Sequence, residues 1–204
     1  GFSEYLAKNY NVAIDCITIS KKQFEFTKKR INDSGLNNKV NVMFLDYRDL
    51  NDKYNSIASI EMIEAVGEKN LNTYFSTISK NLNHQGIAAI QAIIIKDNLY
   101  DNYRKKQDFI QKYIFPGGFL PSLNTIKGHM VKSGLEMAQS NSYGLHYSST
   151  LKEWRENFIK SWDRISKQGF ELSFKKIWDF YFSYCEAGFN SKNIDLIQFS
   201  AIKK

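Results

Sequence analysis

Proline and cysteine are scarce in this sequence of 204 residues, with two of each. The shortage of proline, together with only 11 glycines, excludes collagen-like and proline-rich chains. Cys16 and Cys185 lie too far apart to form a disulfide framework, so a reducing compartment is expected. Neither cysteine has a Cys or His partner at zinc-ligand spacing, so no metal site is predicted. No run of about 18 apolar residues is present, so no membrane-spanning helix is predicted either.

The residues that are abundant describe a globular chain with a basic surface. Apolar residues make up 43% of the sequence, charged residues 24% and aromatic residues 15%. This composition is typical of a globular protein and too apolar for a disordered one. Lys and Arg number 28 against 21 Asp and Glu, a net charge of +7. That excess favours an anionic partner, such as a phospholipid surface or nucleic acid, or is simply a solvated lysine-rich surface.

Apolar runs alternate with amphipathic stretches along the chain, a pattern typical of α/β proteins with a mostly parallel sheet and helices on both faces. Strands are predicted at residues 12–19, 40–45, 54–60, 86–95, 135–142 and 194–202. Helices are predicted at residues 20–35, 70–82, 124–133, 151–167 and 170–187. We expect one domain over residues 1–204, with an irregular, lid-like insertion at about 97–120 and a helical insertion at about 149–190.

Polar residues follow several of these strands, where ligands bind in parallel α/β sheets. Ser20 with Gln23 predicts a capping box, so these residues either begin a helix or contact a ligand. Glu61 and Glu64 are three residues apart and can face one side of a helical turn. They form either a solvated acidic turn or a partly buried pair. A buried carboxyl has a raised pKa, which is how general acids and bases are tuned.

Taken together, the motifs resemble those of cyclopropane-fatty-acyl-phospholipid synthases and mycolic acid cyclopropane synthases. The motifs are Thr18-Ile19-Ser20-Lys21-Lys22-Gln23, Asp46-Tyr47-Arg48-Asp49, Ser59-Ile60-Glu61-Met62-Ile63-Glu64-Ala65-Val66-Gly67, Tyr113-Ile114-Phe115-Pro116-Gly117-Gly118, Tyr147 with Thr150-Leu151 and Trp154, Tyr184-Cys185-Glu186-Ala187-Gly188-Phe189, and Ile194-Asp195 with Gln198-Phe199. They cover the whole chain in the family's order. The resemblance implies a Rossmann-like, S-adenosylmethionine-dependent methyltransferase.

The same resemblance implies that the family's first strand and glycine-rich cofactor loop precede Gly1. The sequence is therefore expected to be a fragment that is inactive alone, with Gly1 at the tail of the cofactor loop. Thr18 and Gln23 match residues that contact the ribose end of the cofactor. Asp46 and Tyr47 match the adenine contact, where Tyr47 keeps an aromatic face for stacking.

The implied catalytic residues are Glu64, Tyr147, Gln91 and Cys185. The resemblance assigns a bicarbonate ion to Glu64, the backbone of Ile93 and the hydroxyl of Tyr147. Gln91 stands where better-known members have a histidine, and its amide can donate a hydrogen bond but cannot carry a proton charge. Cys185 matches a cysteine near the active site, or it is a buried packing residue. Glu61 is expected to be a supporting or solvated residue.

The implied reaction is methyl(ene) transfer to the cis double bond of unsaturated phospholipid acyl chains, which forms cyclopropane fatty acids. A carbocation on the chain would be stabilised by aromatic rings, for which Tyr113, Phe115, Tyr147 and Tyr181 are candidates. The alternatives are a lipid methyltransferase that makes methyl-branched chains and a non-catalytic lipid-binding remnant.

Nucleic acid is not an expected partner, because the basic residues are scattered and no proline-aromatic catalytic tetrapeptide is present. We expect a cytoplasmic protein that is peripheral to the anionic inner membrane. Both a monomer and a homodimer are compatible with the sequence.

Overall fold

The computed structural model describes residues 1–203, which divide into two compact units, Gly1–Asp52 and Lys53 onward. The helices are α1 (Phe2–Asn9), α2 (Lys21–Asp33), α3 (Ile63–Val66), α4 (Leu71–Asn81), α5 (Asp97–Tyr103), α6 (Phe109–Tyr113), α7 (Leu123–Lys132), α8 (Gly144–Lys160), α9 (Trp162–Ser166) and α10 (Leu172–Asn190). The strands are β1 (Ile14–Thr18), β2 (Val40–Phe44), β3 (Tyr54–Ile60), β4 (Leu82–Ile95), β5 (Leu135–Ser142) and β6 (Ile194–Lys203). No helix within residues 1–203 is both long and apolar enough to cross a bilayer.

The first unit consists of α1, β1, α2 and β2, with β1 and β2 paired in parallel from Ile14 opposite Val40. Its small core contains Ala7, Ile31 and Val40. The Ser20 side chain accepts a hydrogen bond from the Gln23 backbone N–H, which confirms the predicted start of α2. The capping box itself is not formed, because the Ser20 backbone N–H donates to Thr18 Oγ1 instead.

The second unit contains a four-stranded sheet in the order β3-β4-β6-β5. Strands β3 and β4 are parallel, as predicted, whereas β6 is antiparallel to both of its neighbours, so this sheet is mixed. The direction of β6 follows from the helices before it. Ser148 on α8 bonds Asn190 on α10, and Arg155 bonds Asp179, so α8 and α10 run antiparallel. Strand β6 therefore begins at the same end of the sheet at which β5 ends, and it runs antiparallel to β5.

Most predicted elements are confirmed; their ends differ, and the structure adds short helices that were not predicted, among them α3, α5 and α6. Strand β4 begins at Leu82 rather than at residue 86 and occupies the centre of its sheet, as expected. Residues 97–120 are not irregular throughout, since they include α5 and α6. Helix α6 begins at a capping box between Asp108 and Gln111.

The largest difference is at α8, which begins at Gly144 rather than at residue 151 and ends at Lys160. The Asp195 side chain accepts hydrogen bonds from the Gly144 backbone N–H at 2.9 Å and from the Ser142 hydroxyl at 2.6 Å. The carboxylate accepts from a backbone N–H that has no partner within the helix, so α8 can start at Gly144 without a capping side chain from the adjacent residue. Tyr147 therefore lies in the first turns of α8 and not in a loop after β5.

Candidate active site

A cavity of about 1250 Å³ lies in the second unit, between the ends of β3 and β4, the segment 97–120, and helices α8 and α10. Aliphatic and aromatic side chains line most of it, among them Ile93, Leu99, Ile110, Ile114, Phe115, Leu151, Trp154, Trp178, Tyr181 and Phe182. Three acidic residues also line it, namely Glu61 and Glu64, which follow β3, and Asp108, whose carboxylate accepts the Gln111 backbone N–H at the start of α6. A large, mostly apolar cavity with a few polar groups suits a largely apolar ligand.

Glu61 lies directly after β3, in the left-handed region of backbone space, with φ of 52°. Its side chain receives two hydrogen bonds. Gln91 Nε2 donates to Glu61 Oε1 at 2.7 Å, and the Tyr147 hydroxyl donates to Glu61 Oε2 at 3.2 Å. Of the two roles expected for Glu61, supporting or solvated, these contacts favour the supporting one, because donors from distant parts of the chain engage both carboxylate oxygens.

Gln91 lies behind Glu61 and is not among the residues that line the cavity. Its side-chain oxygen accepts a hydrogen bond from Gln198 Nε2 at 2.7 Å. The acceptor role of that oxygen orients the Gln91 NH₂ group toward Glu61. Gln91 thus contacts Glu61 rather than the cavity, and Gln198 is a partner that the sequence did not predict.

Glu64 lies on the short helix α3, and its carboxyl group is largely buried. Its Oε1 accepts a hydrogen bond from the Ile93 backbone N–H at 2.6 Å, while its buried Oε2 has no partner. Burial raises the pKa of Glu64 to about 7, against the opposing effect of the Ile93 bond, and the nearby Glu61 charge raises it further. Near neutral pH this carboxyl can therefore hold or release a proton.

Aromatic side chains form a large part of the cavity lining. The Tyr147 ring lies 4.9 Å from that of Phe189 and 6.1 Å from that of Trp154, and the Phe115 ring lies 6.0 Å from that of Tyr181. Burial raises the pKa values of Tyr147 and Tyr181, so both phenols stay neutral. Tyr113 does not line the cavity and is 53% exposed, so it is not a candidate for contact with the reacting chain.

Cys185 lines the cavity from α10 and packs beside the cluster around Leu151 and Phe182. Burial raises the pKa of its thiol to about 12. A thiol with this pKa is protonated near neutral pH and is a poor nucleophile. The surroundings of Cys185 therefore favour a packing role over nucleophilic catalysis.

The residues predicted to hold the cofactor lie in the first unit, where β1 and β2 end at the same edge of their parallel pair. Thr18 Oγ1 donates a hydrogen bond to Gln23 Oε1 at 2.9 Å. Asp46 accepts from the backbone and the guanidinium of Arg48, which lowers its pKa. Tyr47 is partly buried beside it, and burial raises the pKa of its phenol.

Gly1 stands before α1, and nothing lies within 4 Å of a Cβ placed on it. The structure brings Thr18 and Gln23 into contact, but it gives Gly1 no neighbour that requires glycine.

Comparisons with known proteins agree with the motifs. A sequence profile of the family described as mycolic acid cyclopropane synthetase matches residues 1–199. The chain is 36% identical over 192 residues to tuberculostearic acid methyltransferase UfaA1 of Mycobacterium tuberculosis, covering 94% of this chain and 45% of that protein. It is 34% identical over 198 residues to cyclopropane-fatty-acyl-phospholipid synthase of Escherichia coli, covering 97% and 49%. The chain thus spans about half the length of these curated relatives.

Solved structures show the same fold. Mycolic acid cyclopropane synthase CmaA1, complexed with SAH and CTAB, matches with a TM-score of 0.88 and 22% identity over 97% of this chain and 72% of that chain. Cyclopropane synthase MmaA2 from Mycobacterium tuberculosis matches with a TM-score of 0.87 and 22% identity, with the same coverage. The predicted α/β, Rossmann-like methyltransferase fold is confirmed.

Proposed function

Because the chain belongs to the mycolic acid cyclopropane synthetase family, we propose that the protein transfers a methyl group from S-adenosylmethionine to a carbon–carbon double bond in a lipid acyl chain. The observation that carries this proposal is the apolar cavity with Glu61 and Glu64 at one side. An acyl chain is long and apolar, and it offers no group to hydrogen-bond except at its head. The names of the relatives described above, tuberculostearic acid methyltransferase and cyclopropane-fatty-acyl-phospholipid synthase, both refer to such chains.

The groups at the carboxyl ends of β1 and β2 suit a nucleoside. Thr18 and Gln23 offer a hydroxyl and an amide for ribose hydroxyls, and Tyr47 offers an aromatic face for a base. S-adenosylmethionine, when bound, supplies an electrophilic methyl group. In this proposal Thr18, Gln23 and Tyr47 hold its adenosyl part, and Asp46 shapes the turn through Arg48.

The cavity walls perform the remaining tasks. Apolar side chains exclude water, which would otherwise add to a carbocation. The faces of Tyr147, Tyr181 and Phe115 surround the space where that positive charge develops, and each well-placed ring contributes up to about 2 kcal/mol when desolvated. The alkene is a weak nucleophile, so much of the rate must come from holding it in place. A carboxylate then accepts the proton that the cationic chain releases.

Docking on a membrane is the second part of the proposal. Tyr113, Phe115, Phe180 and Tyr184, here called the aromatic rim, are 42–53% exposed, and Phe115 and Tyr184 also line the cavity. The basic residues Arg104, Lys105, Lys106 and Lys112 lie in the same part of the chain. Aromatic side chains favour the membrane–water interface, and basic ones are attracted to anionic lipids. An acyl chain would enter the cavity past this rim.

The test uses the full-length protein, methyl-labelled S-adenosylmethionine and vesicles of an unsaturated anionic phospholipid. We expect mass spectrometry to find the label in the acyl chains, and proton NMR to separate a ring from a methyl or methylene branch. Vesicles of the saturated phospholipid with the same head group are the control and should stay unlabelled. Lipid binding without any transfer of label would instead support a non-catalytic lipid-binding protein.

A further inference from the structure

We infer that Glu61 is the proton acceptor of this site and occupies the place of a free bicarbonate ion. The inference rests on the proposed function, because the proton in question comes from a methylated acyl chain. The structural observation behind it is which groups accept hydrogen bonds from the donors of this site.

Three donors of the site are engaged by carboxylates of the chain itself. The Tyr147 hydroxyl and Gln91 Nε2 both donate to Glu61, and the Ile93 backbone N–H donates to Glu64. A bicarbonate ion placed here would find these three donors taken, and the one carboxyl that could still donate is Glu64 when it holds a proton. It would also carry a negative charge toward the Glu61 carboxylate inside a largely apolar cavity, where like charges repel most strongly. Bicarbonate does not fit the site as this chain builds it.

Glu61, by contrast, has a fixed backbone conformation and a fixed carboxylate orientation, as a general base requires. Its backbone is in the left-handed region, which few side chains adopt and which glycine adopts freely. Two donors fix its carboxylate plane, and one of them, Gln91, is itself fixed by Gln198. Strained backbone of this kind is concentrated at functional sites. Gln91 and Gln198 are accordingly positioning residues, whereas Glu61 faces the cavity.

The π electron pair of the alkene forms the bond to the methyl carbon while the sulfur–methyl bond of the sulfonium donor breaks. Sulfur keeps the electron pair of that bond and leaves as a neutral thioether, and the neighbouring alkene carbon becomes positively charged. The Glu61 carboxylate accepts a proton from a carbon next to the cation or from the new methyl group. The electron pair of the broken C–H bond then forms a carbon–carbon bond to the cationic carbon, either as a ring or as a double bond. Glu61 ends the step as a neutral carboxylic acid.

The first experiment measures product formation by the full-length protein in carbon-dioxide-free buffer, with and without added sodium bicarbonate against equal sodium chloride. We expect the wild-type rate to be the same in both. Glu61→Gln should lose about 10²–10⁴-fold in both, the usual contribution of a positioned acid or base. Glu61→Gly should lose as much without bicarbonate and recover most of it when bicarbonate is added.

Glycine is chosen because it keeps the left-handed backbone without strain while it frees the Tyr147 and Gln91 donors. Glu156→Gln, a carboxylate change on the exposed face of α8, is the matched control and should behave as wild type. A wild-type rate that falls without bicarbonate and returns with it would overturn the inference. So would a Glu61→Gln variant with a normal rate.

The second experiment does not depend on activity, and it decides the inference if no variant forms product and the proposed function fails. It records the NMR line of ¹³C-bicarbonate with each purified protein. Broadening by Glu61→Gly but not by wild type or Glu156→Gln is expected. Equal broadening by wild type and Glu61→Gly would show that the ion binds beside the Glu61 side chain. No broadening by Glu61→Gly would show that removing this side chain does not create a bicarbonate site. Either result contradicts the inference.

Discussion

At the scale of single residues, the site places two carboxyl groups in different surroundings. Glu61 has a donor on each oxygen, whereas Glu64 has one donor and a buried oxygen without a partner. Environments that differ in this way allow one carboxylate to act as a base while the other holds a proton. The difference has measurable consequences for stability and for rate.

The first prediction concerns the stability of Glu64→Gln. The pKa of Glu64 is about 7 in the folded protein, against 4.5 for the ordinary group. The folded state thus binds a proton more tightly, and wild type loses stability as the pH rises from about 4.5 to 7. Gln keeps an oxygen for the Ile93 N–H and never ionises. Urea unfolding should show similar stability near pH 5 and an advantage for Glu64→Gln approaching about 3 kcal/mol at pH 8. A constant difference across this range would contradict a buried, titrating Glu64.

The second prediction concerns the rate of Tyr147→Phe. The variant keeps the ring that packs against Phe189 but removes a hydrogen bond to the Glu61 carboxylate. A hydrogen bond to a charged group contributes roughly 1.5–3 kcal/mol, so product formation should fall by about 10–100-fold. Affinity for S-adenosylmethionine, measured by calorimetry, should stay unchanged, since Tyr147 is not among the residues proposed to hold the cofactor. Weaker cofactor binding with a normal turnover rate would show that Tyr147 has a different role.

The sequence named several residues that line this cavity, but not the bonds between them. Glu64, Ile93 and Tyr147 were each predicted from the resemblance to the family, and Glu64 and Tyr147 lie in the motifs that carry it. The central position of Glu61 was missed, since it depends on donors from residues 91 and 147 that come together only in the folded chain. The left-handed backbone of Glu61 gave no sequence signal either, because glycine or asparagine usually marks such positions.

At the scale of elements, the start of α8 illustrates how a distant residue sets a boundary. Ser20 caps α2 from the adjacent position and was visible in the sequence. Asp195 caps α8 from 51 residues away and was not. A local capping residue therefore marked the start of α2, whereas the predicted start of α8 at residue 151 was seven residues later than the observed one at Gly144.

The third prediction tests this cap. Asp195→Ala removes the acceptor of the Gly144 N–H and of the Ser142 hydroxyl, so urea unfolding should show a loss of about 1–3 kcal/mol. Glu153→Ala removes an exposed carboxylate from the body of α8 and should change stability by less than about 0.5 kcal/mol. Equal losses in the two variants would mean that Asp195 does not hold the start of the helix.

At the scale of the whole molecule, the excess of basic residues becomes an argument about binding to lipid. The net charge of +7 says only that anions are favoured. The structure adds an exposed aromatic rim at a cavity, with Arg104, Lys105, Lys106 and Lys112 in the same part of the chain. A helix that crosses the bilayer is not needed for such docking, because several weak contacts add up at the surface.

The fourth prediction compares two charge variants of equal size by co-sedimentation with anionic vesicles. Lys105→Glu with Lys106→Glu should weaken binding, since each basic residue near the surface contributes about 1 kcal/mol. Lys127→Glu with Lys132→Glu makes the same change on α7, away from the cavity lining, and should weaken binding much less. Binding by wild type should fall as salt rises. Equal loss in both variants would indicate attraction by net charge alone, without a defined docking surface.

The backbone at Glu61 also has an evolutionary consequence. Glycine fits this backbone without strain, and a single base change in a codon exchanges glutamate for glycine. If the proposed function holds and Glu61 is the base, that one mutation makes the reaction depend on the carbon dioxide dissolved in the cell. The reverse mutation frees it from that dependence. On that premise, position 61 is a point at which a lineage can gain or lose a requirement for dissolved carbon dioxide.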